Sequence, residues 1–224
     1  MVSLRRLRSS LALLLLADGR LPTGGHAHSG GVEAAIVDGR IADVDSLGVF
    51  LETRLWTTGL TEAVLAAATC ARAGAELEAL DAEAEARIVA APLRVTSRRL
   101  GRQLVRVAGR CWPHPVFAAF VDPHQAVALG ACGIATGLEV DEVADLAVHH
   151  ALTTPAQAAV RLLGLDPFAV AALTADLATV AVEVAAVAVA SASGPLADLP
   201  APSAPLFEIA AVEHAGRDAR LFAT

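Results

Sequence analysis

Two imidazoles and a carboxylate stand close together in the stretch LPTGGHAHSGGVEAAI, residues 21–36, as His26, His28 and Glu33. Neutral histidine nitrogens and a glutamate oxygen are ligands for a divalent transition metal, so metal chemistry would begin here. Two histidines fall short of a complete ligand set, and any such contact would be transient. The competing readings of His28 are a hydrogen bond that fixes the local bend and a surface offered to another protein. Pro22 with Gly24 and Gly25 permits that bend, because glycine accepts backbone conformations closed to other residues. The glycine spacing does not match a phosphate-binding P-loop and the lysine such a loop needs is missing, which argues against nucleotide binding.

The other reactive residues are scattered. His149 and His150 are adjacent, so on a helix they point apart and make a poor joint ligand; His150 falls in an apolar pattern and reads as a packing residue. His114 and His124 lie beside turns without a carboxylate and cysteine set of metal spacing. HExxH and GxSxG are absent, and no serine has a sequence-based route to a triad, which leaves a small hydrolase as the least supported class. Cys70, Cys111 and Cys132 are odd in number and form no CxxC pair, so neither a disulfide framework nor a structural zinc site fits, and a reducing compartment does.

Arg94, Arg98, Arg102 and Arg106 recur every four residues, while Leu93, Leu100, Leu104 and Val107 favour another side. Such a stripe is either a solvated face or a surface for an acidic protein. Nucleic acid fits less well, because the stripe has no interleaved aromatics and the chain carries a net charge of -7. At the end, ARLFAT sets Arg220 beside Leu221 and Phe222, a combination that can anchor an interface or pack on its own bundle.

The elements that must carry these residues are helices. Tyrosine is absent and aromatics make up 4% of 224 residues, while alanine dominates, so sheet formers are scarce and the best helix former is plentiful. The expectation is an all-α compact bundle in a single domain, residues 1–224, with a turn-rich connector at 192–205 and an interaction tail at 215–224. A first helix over 4–17 imitates a secretory signal, but its apolar run is short and no cleavage pattern follows directly. Ser29 is expected to cap a second helix, a third starts near Asp45 and continues past a bend or close contact at Gly59, and Gly101 permits close packing. Asp122-Pro123 and Asp166-Pro167 each read as a cap followed by proline at the first helical position, the latter opening one long apolar helix through Ser191. Asp176 and Glu183 interrupt that run, so no segment is expected to span a membrane.

Taken in order, these features resemble the urease accessory protein UreF family. The resemblance rests on Asp18, Leu21-Pro22, Gly24-Gly25, Ala27-His28-Ser29, Gly31 and Glu33. It continues through Arg98 to Leu104 with Gly101, Ala158 to Leu162, and His214 with Arg220-Leu221-Phe222. Gly19, His26 and Gly30 depart from the family pattern, the last two where aromatic residues are common. The resemblance implies a cytoplasmic, all-helical, non-enzymatic scaffold that dimerises, binds UreD (also called UreH), and recruits the GTPase UreG to apo-urease for nickel insertion. It implies partner contacts at Pro22, Gly24, Gly25, His28, Ser29, Glu33, Arg98, Arg102, Arg220, Leu221 and Phe222. No cofactor is expected to bind stably; nickel is handled by the complex, with a transient contact at His28, His26 or Glu33 as the alternative of a direct nickel-binding metallochaperone. Neither a membrane nor nucleic acid is expected as a partner.

Overall fold

The computed structural model describes residues 4–217, with the side chains of residues 4–8 and of His26 excepted. Every long element among them is an α-helix: α1 (Leu4–Ala17), α2 (Val32–Val37), α3 (Val44–Arg54), α4 (Leu60–Ala71), α5 (Leu77–Arg87), α6 (Ala91–Cys111), α7 (Gln125–Thr136), α8 (Val140–Leu163), α9 (Pro167–Asp176), α10 (Ala178–Ser191) and α11 (Pro205–Ala215). A π turn at Leu55–Gly59 joins α3 to α4. The chain forms a single compact all-α bundle.

Its centre is α4, packed on α7, α8 and α10. Ala63, Val64, Leu65, Ala66, Ala67 and Ala68 are all buried, as a helix apolar on every side must be. Alanine lets neighbouring axes come close, and glycine brings them closer still. Gly130 of α7 lies over the Ala66 carbonyl and Thr69, where an added Cβ would overlap both; Gly133 is similarly placed against Val143 of α8. Gly101 of α6 rests on the backbone of Pro123 and His124, the close packing its sequence position suggested. A Cβ at Gly59 would lie 3.0 Å from the Arg54 carbonyl oxygen and 3.3 Å from the Ala151 Cβ, so the expected close contact is there.

Several helix starts differ from the sequence reading. The third helix is capped by Asp43, two residues earlier than Asp45, in a reciprocal box: the Ser46 N–H donates to Asp43 Oδ1 at 2.9 Å and the Asp43 N–H to Ser46 Oγ at 3.1 Å. Ser29 does not cap α2. That helix starts after Gly31, and Gly30 and Gly31 enter it with φ of 59° and 89°, a left-handed path that makes glycine the natural choice. Asp122 does not cap α7, which starts at Gln125; its carboxylate is drawn to Arg102 instead. Asp166 does cap, accepting the Phe168 N–H at 3.0 Å.

The single long apolar helix expected over 167–191 is two helices bent by 46° at Leu177. The bend lets α9 pack on α3 and α8 while α10 packs on α4 and α8. No single helix among the described residues is long and apolar enough to cross a membrane. α1 buries Ala12 and Leu16 and leaves Leu11, Leu14 and Leu15 exposed, so it is a one-sided helix.

Candidate functional site

The glycine-rich stretch is the floor on which the last helix sits. Its backbone runs through a 3-10 turn, Gly25–Ala27, into the Gly30-Gly31 pair. The Phe207 ring of α11 lies on Gly31 so closely that a Cβ would collide with it. The same ring faces the Arg54 guanidinium, 5.3 Å from ring centroid to carbon, a cation–π contact.

Arg54 is the hub of this region, and proline explains why. Pro155 lies inside α8 and has no N–H, so the Ala151 carbonyl loses its helical donor. Arg54 Nε–H donates to that carbonyl at 3.2 Å, replacing the missing bond from another helix. A second arm donates to Thr58 Oγ1 at 2.8 Å, and the third lies 3.6 Å from Glu62. One largely enclosed cation therefore ties the π turn, α8 and α11 together beside Gly30, and a half-buried arginine is tolerated because its donors are used.

Glu33 and His214 form the second tie. The His214 imidazole, 2% exposed, meets Glu33 Oε2 at 3.0 Å, joining α2 to α11. Arg217 and Asp38 add an ion pair at 3.0 Å between the same segments. Glu208 of α11 accepts the Ala90 N–H at 2.6 Å, which closes the start of α6. The connector leading into α11 is held at its beginning by two arginines: Arg72 donates to the carbonyls of Ala192 and Gly194 at 2.5 and 2.6 Å, and Arg87 to that of Leu196 at 2.9 Å.

Beneath α11 lies a cavity of about 620 Å³ bordered by His28, Arg54, Glu62, His124, His150 and Phe207. His28 is buried, 5% exposed. Desolvation raises the Glu62 carboxyl above its ordinary range against the opposing pull of Arg54, although 44% of its side chain is accessible. Burial, then the neighbouring His149, lowers His150 to about 4, so it is neutral near pH 7 and its Nε2–H donates to the Leu16 carbonyl at 2.9 Å. Among the described residues, no three His, Cys, Asp or Glu side chains converge into a metal-sized cluster. Glu33 is turned to His214, and the His26 side chain lies outside the described residues.

The arginine stripe does not face one way. Residues four apart advance 400°, so the row drifts about 40° per step around the helix. Arg94 and Arg98 consequently meet acidic α5: Arg94 pairs with Glu85 at 2.9 Å, and Arg98 with Glu85 at 2.6 Å and Asp81 at 3.0 Å. Arg102 pairs with Asp122 at 2.5 Å. The acidic surface they meet belongs to their own chain. Arg98 first, then His124, holds the Glu85 carboxyl below the usual range.

His124 is fully buried between Glu85 and Ser97, its Nε2 2.8 Å from Glu85 Oε2 and its Nδ1 3.0 Å from Ser97 Oγ. Serine, imidazole and carboxylate stand in the order a hydrolase uses. Ser97 Oγ, however, accepts the Gln125 N–H at 3.1 Å, and the same Glu85 oxygen accepts two Arg98 bonds, at 3.1 and 2.6 Å. The group clasps α5, α6 and the start of α7.

Of the residues singled out in the sequence, Gly24, Gly25, His28, Ser29 and Glu33 lie in or next to the floor under α11, while Pro22 is exposed at its edge. Arg98 belongs to the separate α5 and α6 clasp, and Arg102 pairs with Asp122 in the segment before α7. Arg220, Leu221 and Phe222 lie outside the described residues. Arg54, Pro155 and Phe207 received no role from sequence reasoning, although a proline within a helical run was a visible signal for a displaced carbonyl.

Comparison with known proteins is consistent across the chain. A family model described as UreF matches residues 41–178. The chain is similar to a urease accessory protein UreF of Mycolicibacterium vanbaalenii, 45% identical over 223 residues, covering 96% of this chain and 100% of the relative. It is similar also to proteins of the same description from Mycobacterium marinum, 43% identical over 218 residues with 96% and 100% covered, and Mycobacterium tuberculosis, 40% identical over 216 residues with 96% and 99% covered.

Proposed function

We propose that this chain, which belongs to the UreF family, is a urease maturation factor that links UreD/UreH and the GTPase UreG to apo-urease during nickel insertion. It is an accessory protein and not an enzyme. The observation that carries the scaffold reading is the near full-length likeness to several proteins described as urease accessory protein UreF. The fold supports it with outward apolar surface. Leu206, Ile209 and Val212 stand exposed on α11, and Phe168 and Val182 on α9 and α10, surfaces suited to partner contacts and to a homodimer.

In this reading the floor from Pro22 to Glu33 works through α11. Gly31 and Glu33 set where the helix lies, and the helix delivers residues 218–224, including Arg220, Leu221 and Phe222, to a partner. Nickel is cargo of the complex, which acts in the cytoplasm. Co-purification with UreD and UreG, followed by urease activation with the intact chain and a form ending before Arg220, tests the assignment. Truncation should impair assembly or activation; normal assembly and activation by the shortened chain would sink the tail role.

A second reading, direct nickel binding, draws on the position of His28 at the cavity edge. Calorimetric titration of the purified chain with nickel decides it: tight stoichiometric binding abolished by His28→Ala would favour a metal ligand over a scaffold residue.

A further inference from the structure

The clasp between α5 and α6 uses Arg94 and Arg98 and leaves a second row of arginines on α6 mostly unpaired. Every one of the 17 basic residues in the chain is an arginine, and six of them, Arg94, Arg98, Arg99, Arg102, Arg106 and Arg110, lie on α6, which has no acidic residue. Leu100, Gly101, Leu104 and Ala108 mark its buried side. Opposite that side, Arg99, Arg102, Arg106 and Arg110 are exposed. Arg102 has Asp122; Arg99, Arg106 and Arg110 have no ion-pair partner among the described residues.

An ordinary solvated helix face interleaves glutamate with its cations, because like charges three and four positions apart destabilise a helix. This face has no carboxylate of its own and repels itself. On a chain of net charge -7 it is also a local reversal of sign. The row from Arg99 to Arg110 extends roughly 16 Å along the axis, about three turns. Guanidinium groups at that spacing match carboxylates spaced by helical turns on another protein, and each can form a two-pronged bond to one.

We propose that the outer face of α6, through Arg99, Arg106 and Arg110, docks an acidic surface of a partner protein in the accessory complex, separately from α11. The proposal rests on the scaffold reading for the partner's identity and on the α6 charge pattern for the site. A protein suits the face better than nucleic acid, since the row carries no aromatic side chain for stacking and the rest of the chain is acidic. Such a contact accelerates encounter and weakens with salt, because its charges are exposed until the partner arrives.

The test compares the full chain with the triple variant Arg99→Gln/Arg106→Gln/Arg110→Gln, which keeps helix-forming residues and touches none of the clasp. Circular dichroism and thermal melting establish that both are folded. An oligoglutamate peptide about 15 residues long is titrated by fluorescence anisotropy at low and at about 0.5 M salt, and assembly with purified UreD and UreG is followed by size-exclusion chromatography. The intact chain should bind the peptide in a salt-dependent way, and the variant about tenfold more weakly. The variant should also drop out of the complex with one accessory partner. Equal peptide binding by the two folded chains, or undiminished assembly by the variant, overturns the proposal. Tighter binding of duplex DNA than of oligoglutamate overturns it as well and gives the face to nucleic acid. If the intact chain assembles with neither accessory partner, the scaffold reading fails, while the peptide titration still decides the cationic face.

Discussion

In the α4, α7 and α8 centre, helices meet where side chains have been removed: alanines line α4, Gly130 brings the α7 backbone onto that of α4, and Gly133 makes room for the Val143 side chain of α8. Along the seam between α2 and α11, contact depends on particular groups: an aromatic ring on Gly31, a buried imidazole on Glu33, an ion pair from Arg217 to Asp38. The first kind of contact is spread over many residues and gives a rigid unit. The second concentrates in a few, so the last helix can be positioned accurately yet released by one change. The proposed role, in which the C-terminal segment is offered to partners, calls for both, a platform that does not move and an attachment that sets one orientation.

The comparison is broken most severely at its rigid end. Gly130→Ala places a methyl group against the Ala66 carbonyl and 2.5 Å from Thr69 Cβ, and backbone cannot step aside as a side chain can. The expected cost is about 3 kcal/mol of global stability, seen as a lower urea midpoint. At the seam, Gly31→Ala should cost about 2 kcal/mol through the Phe207 collision and the left-handed backbone. Its signature is local: hydrogen exchange should accelerate in α11 more than in α4. In a Phe207→Ala background the same substitution should cost less, and strict additivity of the two would show that the ring and the glycine are not coupled.

The hub between the two regions gives a smaller effect. Arg54→Met leaves the Ala151 carbonyl without its donor and should cost about 1.5 kcal/mol in a denaturation experiment. Combined with Pro155→Ala, which returns an N–H to that position, the penalty should shrink by roughly half. An unchanged penalty would mean the proline is not the reason Arg54 is there.

The smallest effect concerns pH. His150 titrates near 6.5 when unfolded and about 4 in the fold. Between these values the unfolded chain takes up a proton that the folded chain does not, so this group's contribution to stability is present above about pH 6.5 and is lost as pH falls toward 4. His150→Gln removes that contribution. The difference in urea midpoint between pH 7 and pH 5 should be smaller for the variant than for the parent chain.

The helical class, most helix positions and the close approach at Gly101 were legible in the sequence, because alanine content, apolar spacing and glycine placement act locally. The opening stretch was legible as a bend, and its glycines do shape one. What was missed shares one cause. Ser29 and Asp122 are good capping residues by type, yet the chain path offers Gly31 and His124 in the capping positions and sends the Asp122 carboxylate to Arg102. The arginines at 94, 98, 102 and 106 looked equivalent because a repeat of four hides a 40° drift, which only a neighbouring acidic helix makes consequential.

By itself, then, the sequence determined that this protein is helical, acidic overall, alanine-packed, and similar to the UreF family. Those properties follow from composition, local spacing and ordered motifs. Only the tertiary structure decided that Glu33 answers to His214, that Arg54 supplies the donor Pro155 lacks, and that Arg99, Arg106 and Arg110 carry the unanswered charge. These pairings join residues as many as 181 positions apart. A long-range partner is chosen by how helices cross, and a crossing is the outcome of the whole packed core rather than of either residue.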